Sequence, residues 1–140
     1  MIVDVSPLEL EGVMLIRSKR FHDERGYFSE TYVQRDYFGA GIRNAFVQDN
    51  QSRSFAAGTV RGLHFQTAPF DQAKLVQVIR GRRYDVEEEL RRSSPKFGRP
   101  VGVEVTDVNG EQVLGRTGFG GGSGTVVRAH TASRTVDGGD

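Results

Sequence analysis

An all-β fold, a sandwich or barrel of many short strands, is what this sequence predicts, and three observations carry it. Short apolar or alternating runs are separated by turn residues at intervals of about 8–12 positions. No segment keeps a helical period for more than a turn or two, and no internal repeat is present. Aromatic and β-branched residues gather in the runs, where a pleated surface favours them.

At 140 residues the chain is the size of one domain, and its 36% apolar and 26% charged side chains suit a folded core rather than disorder. Nineteen basic against 18 acidic residues leave a net charge of +1, so no footprint for nucleic acid or an anionic membrane is expected. The absence of cysteine excludes disulfides, thiolate zinc sites, Fe–S clusters and cysteine nucleophiles. Asp4, Glu9 and Glu11 stand where a signal peptide would be basic and apolar, and no apolar run approaches the ~20 residues of a bilayer span. A soluble cytoplasmic domain is expected.

The elements follow in order. The apolar run Val13–Ile16 fits a strand. His22–Gly26 is a polar cluster ending in glycine, a turn, and Tyr27–Val33 then alternates like a strand. Gln34–Gly41 reads as one or two helical turns stopped at glycine. Ala45–Gln51 and Thr59–Gln66 are strand candidates on either side of a polar, glycine-bearing stretch. Lys74–Arg80 and Arg83–Leu90 flank Gly81-Arg82, which predicts a two-residue hairpin. Val101–Val105 resumes the alternation, and Asn109-Gly110 carries the signature of another hairpin turn.

Nine of the 18 glycines fall in the last 31 residues. Gly118–Gly124 has linker chemistry, with much backbone entropy to lose on folding. The expected organisation is therefore a β domain over 1–109 and a poorly ordered, Gly-rich tail over 110–140. Such a tail would leave Val76 and Val78 poorly covered.

Thr59–Gln66 is the most informative stretch. His64 reads either as a general base, since imidazole titrates near neutrality, or as a core histidine satisfied by a backbone carbonyl. Arg61 lies three positions away, on the other face of a regular strand, and a bulge at Gly62 would bring both inward. Lys74 shares a face with Val76 and Val78 and reads either as a stabiliser of oxyanion charge or as a surface strand end. Arg25, Arg53 and Arg61 suit phosphate oxygens, and Gln48, Asp49 and Asn50 suit a base or sugar hydroxyl, or simply a polar strand end. Glu87–Glu89 reads as a solvated run. His64 has no histidine two residues away, and His22 and His130 lie in a turn and the tail, so no metal site is expected.

In register over about residues 7–109, these motifs resemble the dTDP-4-dehydrorhamnose 3,5-epimerase family. The resemblance is carried by Asp23–Glu30, Phe46–Ser54, Val60–Gln66, Lys74–Val76, Arg80-Gly81, Tyr84–Val86, Arg91–Gly98 and Val101–Glu104. It implies a cupin-type jelly roll, incomplete at the C-terminus here, that forms a homodimer and epimerises a dTDP-4-keto-6-deoxy sugar without a cofactor. By resemblance His64 matches the base and Lys74 the stabiliser of the enolate. Arg25, Glu30, Gln48, Asp49, Asn50 and Arg61 match positions that hold nucleotide and sugar. The chain departs from the family after Asn109-Gly110. The four tyrosines are Tyr27, Tyr32, Tyr37 and Tyr84, so none stands where the family places its tyrosine acid. The competing expectations are a non-catalytic sugar-nucleotide-binding domain and an inactive, truncated relic.

Overall fold

The computed structural model describes residues 1–64, 73–108, 110–115, 119–125 and 129–135, with side chains throughout these except at 3, 63, 64, 119–125, 129–132 and 135. The chain runs β1 (Ile2–Pro7), β2 (Val13–Ser18), β3 (Arg20–Asp23), β4 (Gly26–Ser29), α1 (Gln34–Gly39), β5 (Gln48–Ser54), β6 (Val60–His64) and β7 (Lys74–Arg80). It continues through β8 (Arg82–Glu89), β9 (Pro100–Thr106), β10 (Glu111–Gly115), β11 (Phe119–Thr125) and β12 (Ala129–Thr135). A six-stranded sheet in the order β1-β2-β10-β7-β12-β5 faces a four-stranded sheet in the order β6-β11-β8-β9. β3 and β4 form a separate two-stranded ribbon. All pairings are antiparallel. The expected all-β sandwich is the architecture found.

Two apolar clusters hold the six-stranded sheet from both sides, because each strand sends alternate residues to opposite faces. Between the sheets, Val13, Val78 and Val113 meet Val105 of β9 and Leu10, with Leu8, Leu15, Val101 and Val103 packed around them. On the outer face, Ile16, Leu75 and Leu114 pack against Tyr37 of α1 and Ile42. Burying these side chains stabilises by roughly 1.5–3 kcal/mol each relative to exposure. α1 ends as its sequence predicts: Gly41 N–H donates to Phe38 O and Ile42 N–H to Tyr37 O, while Tyr37 and Ile42 touch in the outer cluster. That pairing of two backbone bonds with one apolar contact closes a helix that ends in glycine.

Several expectations are corrected. β7 and β8 do not form a hairpin: the chain passes from the six-stranded to the four-stranded sheet at Gly81, whose N–H donates to Asp107 Oδ2 at 2.9 Å. β9 and β10 likewise lie in different sheets, so Gly110 marks a second crossing. Turn chemistry is local, whereas the inward faces of these strands find their partners across the sandwich. The strand expected over Tyr27–Val33 ends at Ser29. Phe65 and Gln66 of the strand expected over Thr59–Gln66, and Asn109, lie outside the described residues.

The stretch expected to be a poorly ordered tail contains three strands. β10 lies between β2 and β7, β11 between β6 and β8, and β12 between β7 and β5. Interior strands receive backbone hydrogen bonds on both edges, which offsets the low strand preference of glycine and small polar residues. Val76 and Val78 are accordingly buried, at 8% and 4% exposure, not poorly covered. No helix among the described residues is long and apolar enough to cross a membrane.

Leu114 is fully buried at the middle of the outer cluster. Leu114→Ala is expected to lower unfolding stability by about 2–5 kcal/mol, read as a lower urea midpoint at unchanged slope.

Candidate functional site

β6 carries the irregularity that its sequence predicts. Against β11, Gly121 opposes His64 and Ser123 opposes Arg61, so three positions of β6 span two of β11. The extra residue is accommodated at Gly62, whose φ of 95° is open to glycine and strained for other residues. The bulge places His64 and Arg61 at register positions that share one face, where an unbroken strand would separate them. Arg61 donates through Nε to Ser54 Oγ and through Nη2 to the carbonyl of Arg53, both at 3.4 Å, linking β6 to β5 of the opposite sheet. The side chain of His64 lies outside the described residues.

The facing strands supply a polar row. β12 opposes β7 and β5 so that Lys74, Thr135 and Gln48 align, and Val76, Ser133 and Asn50 align beside them. Lys74, Gln48 and Asn50 therefore belong to the inner face of the six-stranded sheet, together with Val76 and Val78. Gln48 Nε2 donates to Asn50 Oδ1 at 2.7 Å, which fixes the two amides relative to one another. Asp49, between them, belongs to the opposite face and pairs with Arg134 at 3.3 Å.

Across the interior, β8 presents Arg83, Asp85, Glu87 and Glu89 on the side that β9 lines with Val101, Val103 and Val105. Far from being a solvated run, this strand buries Asp85 to 2% exposure and Glu89 to 1%. Arginines on or next to the strand make that burial tolerable, since an inward charge needs a close partner. Arg83 donates Nε and Nη2 to Asp85 Oδ1 at 3.0 and 2.6 Å. Arg91 donates to both Glu89 oxygens at 2.9 and 2.8 Å and to the carbonyl of Glu11. Arg91 holds the Glu89 carboxyl below its usual range. Burial pushes Asp85 up against the pull of Arg83, and Asp85 Oδ2 has no hydrogen-bond partner. Among the described residues, no arginine pairs with Glu87. Burial, and then the neighbouring charge of Asp85, push its carboxyl up to about 8, although Arg83 and Lys74 pull the other way.

The Glu87 carboxyl reaches the opposite sheet at Gly115, where an added Cβ would stand 3.0–3.1 Å from its carboxyl atoms. Gly115 opposes Lys74, so the carboxyl ends beside the lysine's strand. In its own sheet, Glu87 opposes Gly121, which in turn opposes His64. Sequence reasoning passed over Asp85 and Glu87. The signal was present, because Arg83, Asp85, Glu87 and Glu89 alternate with period two, but three adjacent glutamates read as a surface.

Arg25 and Glu30 stand apart from this group. Arg25, at the tip of the β3–β4 ribbon, pairs with Asp23 at 2.6 Å and is largely exposed. Glu30 accepts from the N-terminal amine at 3.1 Å. The ribbon also exposes Phe21, Tyr27 and Phe28. Two clefts on the outer face of the six-stranded sheet, about 240 and 210 Å³, share Gln77, Ile79 and Gln112 in their linings. Both fall below the ~300–1,000 Å³ typical of small-molecule pockets. Among the described residues, no group of three His, Cys, Asp or Glu side chains is placed to hold a metal ion.

Residues 7–136 match the family model described as dTDP-4-dehydrorhamnose 3,5-epimerase. The dTDP-4-dehydrorhamnose 3,5-epimerase of Sinorhizobium fredii is 43% identical over 120 residues, 85% of this chain and 61% of the relative. The crystal structure of the epimerase from Bacillus anthracis, with TDP and PPi bound, is 38% identical with a TM-score of 0.91, covering 94% of this chain and 76% of that one. The Legionella pneumophila enzyme, crystallised with dTDP-4-keto-L-rhamnose, is 35% identical with a TM-score of 0.92, over 98% of this chain and 73% of that one. The chain spans 58–65% of the length of three of the curated relatives that it matches. The cupin-type fold expected from the resemblance is the fold of these structures.

The carboxyl of Glu87 gives the folded chain a measurable pH signature. It holds its proton up to about pH 8, against an ordinary value of 4.5, so the folded state binds more protons than the unfolded state between the two. The associated stability is complete below the ordinary value and is lost as pH rises through about 8. The thermal midpoint of the native chain is expected to fall from about pH 5 to about pH 8 relative to that of Glu87→Gln, which lacks this titration.

Proposed function

The chain belongs to the dTDP-4-dehydrorhamnose 3,5-epimerase family, and on that premise we propose that it epimerises dTDP-4-dehydro-6-deoxy-D-glucose next to its C4 ketone. The observation that carries this reading is the polar strip between the sheets. Lys74, Gln48 and Asn50 share the inner face of one sheet, and the His64 position, Arg61 and the β8 carboxylates share the facing side of the other.

The chemistry asks for three things. A base removes the acidic C–H beside the ketone, an electrophile holds the resulting enolate oxygen, and an acid returns a proton to the other side of the ring. His64 serves as the base, having a reference pKa near 6.5 that suits transfer at neutral pH. Lys74 serves as the electrophile, its ammonium offsetting charge as it develops on the C4 oxygen. Gln48 and Asn50 hold sugar hydroxyls from the half-buried inner face, and Arg61, exposed beside them, holds phosphate oxygens. Asp49, on the outer face, acts through Arg134 and steadies β5. No cofactor or metal enters the proposed cycle, because the carbanion is already stabilised by the substrate's own ketone.

Arg25 and Glu30 stand on or beside a ribbon whose exposed aromatic side chains suit a protein partner. We propose a homodimer acting in the cytoplasm, in which the ribbon of one protomer reaches the nucleotide held by the other.

Deuterium uptake from D₂O into the sugar at C3 or C5 tests the base. His64→Ala is expected to slow uptake by about 10²–10⁴-fold, whereas a folded native chain that binds dTDP and shows no uptake would favour the non-catalytic binding reading. Mixing tests the dimer. Arg25→Ala and His64→Ala chains, each inactive alone, are expected to recover about a quarter of native activity when unfolded and refolded together, because half of the dimers then carry one intact site.

A further inference from the structure

Among the described residues, no tyrosine stands between these sheets to match the family's tyrosine acid. Among the described residues, Tyr27 and Tyr84 are exposed, with Tyr84 lying over Gly102 on the outer side of its sheet. Tyr32 and Tyr37 pack together with tilted rings on the outer face of the six-stranded sheet. Tyr37 also donates to the carbonyl of Thr31 and contacts the side-chain oxygen of Gln112. None of the four is placed to return a proton to a ring held between the sheets.

We infer that Glu87 is the donor: its carboxylic acid, held between the sheets beside Gly115, delivers the proton that completes inversion. The inference rests on the epimerase reading above and names the residue that finishes its cycle. Four placements support it. Glu87 lies in one cross-strand row with Gly121 and His64, so acid and base positions are two strand spacings apart, about 9–10 Å, enough for a pyranose ring. Gly115 leaves the space into which the carboxyl extends. Lys74, the proposed holder of the enolate oxygen, opposes Gly115 on the neighbouring strand. Arg83 is committed to Asp85 Oδ1, so among the described residues Glu87 is left without an ion-pair partner that would keep it ionised.

The charged groups around Glu87 are Asp85 and Arg83 on its own strand and Lys74 on β7, with the His64 position on β6. Burial and Asp85 outweigh the two cations and keep the carboxyl protonated at neutral pH. Two carboxylates on one strand thus stand differently, Asp85 engaged by Arg83 and Glu87 holding its proton, a division that suits acid–base work. In the step itself the Glu87 O–H bond breaks and a C–H bond forms at the enolate carbon. The C4 oxygen returns to a ketone, and water reprotonates the carboxylate. His64 gives the abstracted proton to solvent.

The test measures deuterium uptake and net inversion separately for the native chain, Glu87→Gln, Glu87→Asp and His64→Ala, across about pH 6 to 9.5. With Glu87→Gln, uptake is expected to persist, since His64 can return deuterium to the face from which it took the proton. Inversion is expected to fall by about 10²–10⁴-fold and to lose its decline above about pH 8. Glu87→Asp, a shorter acid, is expected to recover part of the inversion. Glu87→Gln inverting at the native rate with the native pH profile would overturn the inference. So would loss of uptake and inversion together, which would mark Glu87 as structural. A native chain that exchanges without inverting overturns the donor role alone; one that does neither overturns the epimerase reading with it.

Discussion

The interior of this sandwich has to hold charge, and the surrounding structure is arranged to that end. β8 turns three carboxylates inward, where each one stripped of water would cost several kcal/mol if left unpaired. Arg83 answers one with two donors on a single oxygen of Asp85, and Arg91, just past the strand's end, answers another by bidentate pairing with Glu89. Arg91 also ties that end to the carbonyl of Glu11, in the turn before β2. The third carboxylate is settled differently, by keeping its proton. The apolar cluster of Leu10, Val13, Val78, Val105 and Val113 gathers on β2, β10, β7 and β9, and the ionisable groups of β8 stand beside it, opposite the valines of β9. The core therefore grades from packing to chemistry across the strands.

Much of the fold was legible because it is local. Lys74–Arg80 appears with the bounds its alternation indicates, and α1 begins and ends where its glycine stop suggests. What could not be read was which strands would lie side by side. Gly81-Arg82 and Asn109-Gly110 carry good hairpin chemistry, yet Gly81 and Gly110 lie where the chain changes sheets, because pairing is decided by distant inward faces. β1 gives no clean apolar alternation, and the chain beyond Gly110 looks like linker. Their strands exist because neighbours supply backbone partners, which composition does not record.

The candidate site divides in the same way. The bulge at Gly62 and the shared face of Lys74 with Val76 and Val78 follow from residue type and a period of two. The association of Lys74 with Gln48 and Asn50 depends on β12, which brings β5 and β7 into one sheet. The interior position of Asp85 and Glu87 was hidden by charge, since glutamate in a row signals solvent unless partners are known. Arg25 and Glu30 were grouped with the rest by resemblance alone, and within one protomer the ribbon keeps them apart.

β11 is the strand on which these relationships hang, and it is made largely of glycine and serine. A strand with a buried apolar face resists sliding, because a shift of one residue exchanges its two faces; β11 has little such asymmetry. Its alignment is instead dictated by the strands that clasp it. β8 pairs with it residue for residue over its whole length, and β6 meets it with one residue too many. That mismatch works as a key, since sliding β11 past β6 would require the bulge to migrate away from the glycine able to adopt it. β11 therefore forms last in a logical sense, as a gauge block slipped between two finished rails, and any lengthening of the connections around it alters the spacing of base and acid before it alters the core.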